Sequence, residues 1–189
     1  MKMNNEEIQK VVSAIESSNL SVSQVIELIN GQNQKVEAKK AIDASGEITL
    51  VVDYTKTVEQ AIADGKYDWK NGDVTAKNFP ISPEMVGKKV EVATKLFHFN
   101  RDISSEDVIS EMDKDGYRPA TLMELLVLGC LFPELQRQFP IVALGSVWRI
   151  ACGDRYVPCL DVIGSERRLS LDWFGYGWSA HYRVLGVRK

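Results

Sequence analysis

The sequence is short of cysteine, of histidine and of unbroken apolar length, and each shortage excludes something. Among 189 residues there are three cysteines and two histidines. Cys130, Cys152 and Cys159 make an odd count without the paired CxxC spacing of a metal knuckle, so a reducing compartment suits the chain better than a disulfide framework. His98 and His181 have no acidic pair at ligand spacing, which argues against a transition-metal site; no cofactor is expected. No run approaches the ~20 apolar residues of a membrane span. The opening MKMNNEEIQK lacks the apolar centre of a signal peptide, so neither secretion nor membrane insertion is expected, and a cytoplasmic location fits.

What is present is ordinary for a globular chain: 44% hydrophobic and 26% charged residues, and a length that suits one compact domain plus an appendage, or two small domains. The net charge of −3 gives no overall pull toward nucleic acid. Its distribution is uneven. Residues 146–189 hold seven Lys or Arg against four acids, an excess of +3, which leaves the remainder at −6.

Residues 5–18 space Ile8, Val11, Val12 and Ile15 helically. Ser21 and Gln24 make a capping-box pattern before Val25, Ile26, Leu28 and Ile29, with Gly31 at a helix end. Residues 1–46 thus read as a helical appendage and linker whose balanced charge does not suit DNA binding. The main domain is expected over 47–189. ITLVVDY reads as a strand, TVEQAIADG as a short helix, and KVEVATKLFHF as a strand running to Phe99. The segment YDWKNGDVTAKNFPISPEMVGKK before that second strand is loop-rich, and Trp69 and Phe79 are expected to anchor it from beneath. Ser104 opens a helix that Gly116 ends, and Thr121 with Glu124 caps a core helix carrying Leu122, Leu125, Leu126 and Leu128. Residues after Pro133 read as a further turn or short helix. Beyond Pro140 come short strand-like runs: IVALGSVW, RYVPCLDV, RRLSLDWF and YRVLGVRK. Helices first and a cluster of strands last argue an α+β fold.

The first strand, the RPAT..EL helix, the LGSVW strand and the terminal W....YRVLGVRK strand together resemble the C-type lectin fold. Over residues 47–189 the chain is similar to the variable proteins of diversity-generating retroelements, with Trp148, Trp173 and Trp178 as landmarks. The resemblance implies non-enzymatic binding of a macromolecular ligand, a protein or cell-surface target, and a cytoplasmic or virion-associated protein. It also implies a mechanism of diversification, in which error-prone copying at adenines turns AAY asparagine codons into any NNY codon. Such codons never encode Trp, Lys, Glu, Gln or Met. Ser170, Asp172, Phe174, Gly175, Tyr176, Gly177, Ser179, Ala180 and His181 all belong to the NNY set, whereas Trp173 and Trp178 do not and would be scaffold. No Asn follows Asn100. The variable region would span about 145–183.

The stretch LDWFGYGWSAHYR is thereby expected to present contact residues, aromatics giving rigid area and a polar handle. A continuing strand would put Phe174 and Tyr176 on one exposed face, with Leu169, Leu171 and Trp173 on the core face. Arg149, Ile150, Asp161 and Val162 are second-tier candidates from neighbouring strands. Each candidate also has a plainer reading. The three tryptophans are expected in the core, His98 as structural, His181 as a satisfied polar residue at a strand start, and Arg183 and Arg188 as framework. Calcium-dependent sugar binding is not expected, because Pro158 sits in VPC and Trp173 is followed by Phe, so the tripeptides that serve it in C-type lectins are missing. Cys152 and Cys159 bring to mind the cysteine pair of the formylglycine-generating enzyme, without a matching motif around them. A binder of fixed specificity, and single-stranded nucleic-acid binding through the basic aromatic end, complete the alternatives.

Overall fold

The computed structural model describes residues 47–189; the helical appendage expected over 1–46 lies outside the described residues. The β-branched ITLVVD forms β1 (Ile48–Asp53), with Ile48, Leu50 and Val52 buried and Thr49 and Val51 facing out, the period of two that a half-buried strand imposes. A capping box between Thr57 and Gln60 starts α1 (Val58–Asp64). After the short β2 (Trp69–Lys70) and a loop anchored by buried Phe79, β3 (Lys89–Phe97) returns antiparallel along the whole of β1, from Ile48↔Thr94 to Asp53↔Lys89.

The Ser104 hydroxyl accepts from the Asp107 N–H and opens α2 (Ser105–Lys114), which buries Val108 and Met112. Gly116, at φ 83°, turns the chain into β4 (Tyr117–Pro119). The next helix, α3 (Leu122–Leu131), is buried on most of its surface, as its leucine content requires. Residues after Pro133 form turns and not a further helix. The remaining strands are β5 (Ile141–Val142), β6 (Trp148–Arg149), β7 (Arg155–Ile163), β8 (Glu166–Trp173) and β9 (Arg183–Arg188). The fold of the described residues is α+β, one nine-stranded sheet in the order β1-β3-β9-β5-β7-β8-β2, with β4 also on β9 and β6 on β7.

Two apolar clusters flank this sheet. One gathers β1, α1 and α3 around Leu50, Leu125, Leu128, Leu160 and Leu169. The other packs α2 through Val108 and Met112 against Val142, Val157, Val184, Phe174 and Trp178. Trp69 does not anchor the loop it was expected to hold. It is 41% exposed, because β2 lies at the sheet edge, and the Arg168 guanidinium stacks over its ring at 4.2 Å.

The costliest group in the core is Glu124, fully buried. Its carboxylate accepts from both Arg118 amino groups, at 2.6 and 3.1 Å, and from the Thr121 N–H at 2.6 Å. Burial, followed by that negative charge, pushes the neighbouring Tyr54 phenol up to about 12. Glu124→Ala strands Arg118 and removes the helix cap together, so it is expected to cost about 2 kcal/mol, with Glu124→Gln costing less. Urea unfolding midpoints of the two variants check this.

Candidate functional site

The site begins where β8 stops. Its pairing with β7 runs from Ile163↔Glu166 to Tyr156↔Trp173, and the chain then tightens into a 3-10 turn at Phe174–Tyr176. The strand alternation that would have put Phe174 and Tyr176 on one face therefore ends before it reaches them. Phe174 turns inward to 4% exposure beneath the Arg155 guanidinium, 4.0 Å from its ring. Tyr176 turns outward to 83% exposure, its ring edge-on to Trp173 at 4.2 Å. Phe174 is thus corrected from a surface contact to a core residue.

Ser170 is corrected in the same way. It is paired with Cys159 across the hairpin and faces the second cluster, where its hydroxyl donates to Asp161 Oδ2 at 2.6 Å. The segment carrying Trp178, Tyr182 and Val184 covers that face. Asp172, half-buried beside it, accepts from the Tyr182 hydroxyl at 3.2 Å. Burial, and next the Asp172 charge, holds the Tyr182 phenol above its ordinary range; burial also raises Asp161. Cys159 is held well above the usual thiol range for the same first reason, so it remains a neutral thiol. Cys152 lies apart on an exposed turn, its thiol against Asp154.

One hydroxyl pins the turn from below. Ser105 Oγ, 1% exposed, donates to the Phe174 carbonyl at 2.7 Å and accepts from Trp178 Nε1 at 3.0 Å. Ile103 and Trp178 exchange two backbone hydrogen bonds, of 3.0 and 2.8 Å. Between these ties Gly177 adopts φ 77°, and a Cβ there would stand 2.8 Å from the Ile103 carbonyl oxygen. Both the dihedral and the close approach require glycine.

Two clefts flank the turn. The first, about 590 Å³, lies between Arg101, Asp102, Ser104 and Asp107 on one wall and Gly175, Tyr176, Gly177 and Ser179 on the other, with Trp178 and Tyr182 behind. The second, about 490 Å³, is bounded by His98, Asn100, Gln138, Phe139, Pro140, Ala180, His181 and Arg183. The exposed His181 and half-buried Ala180 therefore belong to a different hollow from Tyr176. His98 fastens this part of the chain: its Nε2 lies 2.9 Å from the Ala180 carbonyl, an oxygen that only accepts, which assigns the proton to Nε2.

The second-tier residues divide. Arg149 is exposed and Ile150 half-buried, both at the turn between β6 and β7. Asp161 and Val162, half-buried, sit toward the other end of β7, roughly 20 Å along an extended strand from its Tyr156 end, and line neither cleft. Of the tryptophans expected in the core, Trp178 is 3% exposed, while Trp148 and Trp173 are only half-buried. Residues 98–107 and 138–140, which supply the facing walls, carry no local signal that would single them out. Long-range pairing brings them to the site.

Among the described residues no group of three or more His, Cys, Asp or Glu could hold a metal ion, and no helix is long and apolar enough to cross a membrane. Comparison with family models, curated proteins and solved structures finds nothing that matches this chain.

Ser105→Ala leaves a buried carbonyl and a buried indole N–H without partners, so a loss of about 1–3 kcal/mol is expected. Hydrogen exchange locates the effect: the Ile103 and Trp178 amides should exchange faster, while those of the β1–β3 pair change only with global stability.

Proposed function

We propose that residues 47–189 are a C-type-lectin-like binding domain, a variable protein of a diversity-generating retroelement, and that its act is non-covalent recognition of a protein or cell-surface target. The observation that carries this reading is Tyr176, a large aromatic 83% exposed on a turn whose supports are buried. Exposed aromatics on rigid backbone are what binding surfaces select, since they offer contact area at little conformational entropy. Around Tyr176 the solvent-facing positions are Gly175, Ser179 and His181, all of the NNY set. Trp178, which NNY codons cannot encode, is buried beneath them. With Phe174 and Ser170 withdrawn, and Gly177 reassigned to the scaffold because its backbone demands glycine, the proposed contacts are Gly175, Tyr176, Ser179, Ala180 and His181, with Asp172 and Arg149 at the margin.

The formylglycine-type alternative fares poorly on Cys159, whose buried, neutral thiol is a weak nucleophile. Nucleic-acid binding is disfavoured by what the C-terminal arginines already do. Arg155 is joined to Glu106, Arg168 lies against Asp161, and Arg188 to Glu47. Arg167 is buried, donating to the Gly65 and Gly129 carbonyls.

The gene's flank tests the proposal. A near-copy of codons 145–183 differing only at adenines, beside a reverse-transcriptase gene, is expected; an ordinary flank overturns the retroelement assignment. Stability measurements separate contact from scaffold: Tyr176→Ala should shift unfolding by no more than about 0.5 kcal/mol, and Phe174→Ala should cost about 3–5 kcal/mol.

A further inference from the structure

We propose that the second cleft is a subsite for an oxyanion, taking a carboxylate or a phosphate group carried by the ligand. The chemistry of its walls points one way. Arg183, the imidazoles of His98 and His181 and the side-chain amides of Asn100 and Gln138 line it, and no Asp or Glu does. The neighbouring cleft, by contrast, has Asp102 and Asp107 in its wall. Arg101 shares that wall, so what separates the two hollows is the absence of any acid from the second.

Arg183 is the centre of the argument. It is half-buried, and no carboxylate among the described residues pairs with it, whereas Arg118, Arg155, Arg168 and Arg188 each have one. Its guanidinium is nevertheless fixed: the carbon lies 4.5 Å from the Phe139 ring centre, and Nη1 donates to the carbonyls of Ala180, His181 and Tyr182 at 3.5, 3.3 and 3.0 Å. Those contacts use one nitrogen, so Nε and Nη2 keep donors for a ligand. A planar fork held in advance over an aromatic face loses little entropy when an oxyanion docks, and charge-assisted bonds of this kind are among the strongest available. His98 is likewise held, but its Nε2 proton is committed to the Ala180 carbonyl, so it shapes the wall and the donors to an oxyanion fall to Arg183, His181, Asn100 and Gln138.

The inference rests on the proposed binding surface only in sharing Ala180 and His181 with it. Arg183, His98 and Phe139 lie outside the contacts assigned above, so a site of this kind does not require diversification.

Amide NMR titration of the full chain with sodium phosphate and with sodium acetate, against sodium chloride at equal ionic strength, tests it. Saturable shifts confined to residues 98–100, 138–140 and 180–183 are expected with the oxyanions and not with chloride. Arg183→Met should weaken phosphate binding roughly tenfold or more, while Asp102→Asn in the other cleft leaves it unchanged or tighter. Because Arg183 also ties down backbone, His181→Ala and Gln138→Ala provide a second measure, each expected to weaken phosphate binding roughly two- to fivefold with an otherwise unaltered spectrum. Shifts linear in concentration, shifts equal to those with chloride, or full affinity in these variants overturn the proposal. Phosphate saturating well below acetate assigns the site to a phosphate-bearing ligand, and equal saturation to a carboxylate-bearing one. A template repeat without oxyanion binding would sink this inference alone; oxyanion binding without a repeat would sink only the retroelement reading.

Discussion

The C-terminal strand is the constraint on which the other elements hang. β9 is paired along one edge with β3, from Thr94↔Val187 to Phe97↔Val184, and its other edge is shared by β5 at residues 183–184 and β4 at residues 186–188. Three segments distant in sequence thus meet on six residues. Gly186 lies at the crossing: a Cβ there would stand 2.7 Å from both Met112 and Phe97, so the α2 side of the core closes onto bare backbone. Residues 183–188 must pair before the sheet has a centre, and such long-range pairing makes for slow folding.

A β9 fixed this firmly has a consequence for what precedes it. Residues 174–182 leave β8 at one sheet position and enter β9 three positions away, past β7 and β5. The path is tied to the 98–105 segment through Ile103, Ser105 and His98. The turn therefore has anchored ends and a braced underside, and its free positions are those whose side chains point outward. Rigidity of the backbone and liberty of the side chains come from one arrangement. Substitutions at Tyr176, Ser179 or His181 change surface chemistry, while Phe174, Gly177 and Trp178 carry the geometry.

Charge follows the same topology. The sequence divides into a basic end and an acidic remainder, which on its face suggests a polarised molecule. Folding interleaves them. Arg155 meets Glu106, Arg188 meets Glu47, and Lys189 meets Asp113, each an acid from the earlier part of the chain. Arg188 also approaches the Tyr117 ring, and Tyr117 donates to Glu47, so the chain terminus is stitched to β4 and to the entrance of β1. Exposed pairs of this sort add little stability singly; their effect is to cancel the field that a cluster of arginines would otherwise project. What escapes cancellation is local, and Arg183 is the case in point.

Legibility divided along the same physical line. Helix caps are local chemistry, so Ser104 and Thr121 marked their helices correctly, and β-branching marked β1 and alternation β3 for the same reason. Orientation at the site was not local. Phe174 and Tyr176 have the spacing of strand neighbours, and only the flanking Gly175 and Gly177 hinted that the strand would end between Trp173 and Trp178. Ser170 reads as a polar residue between two leucines, the pattern of an exposed position; it is buried because β9 and its approach cover that face, a fact that resides about fifteen residues further on. Trp69 failed the opposite way, an aromatic assumed to be an anchor but left at a sheet edge under Arg168. The walls facing Tyr176 and His181 come from residues 98–107 and 138–140, brought to them by the pairing of β3 and β5 with β9 and by the ties from Ile103, Ser105 and His98. Periodicity finds the elements of such a protein, but which side chains share a hollow is decided by where the last strand goes.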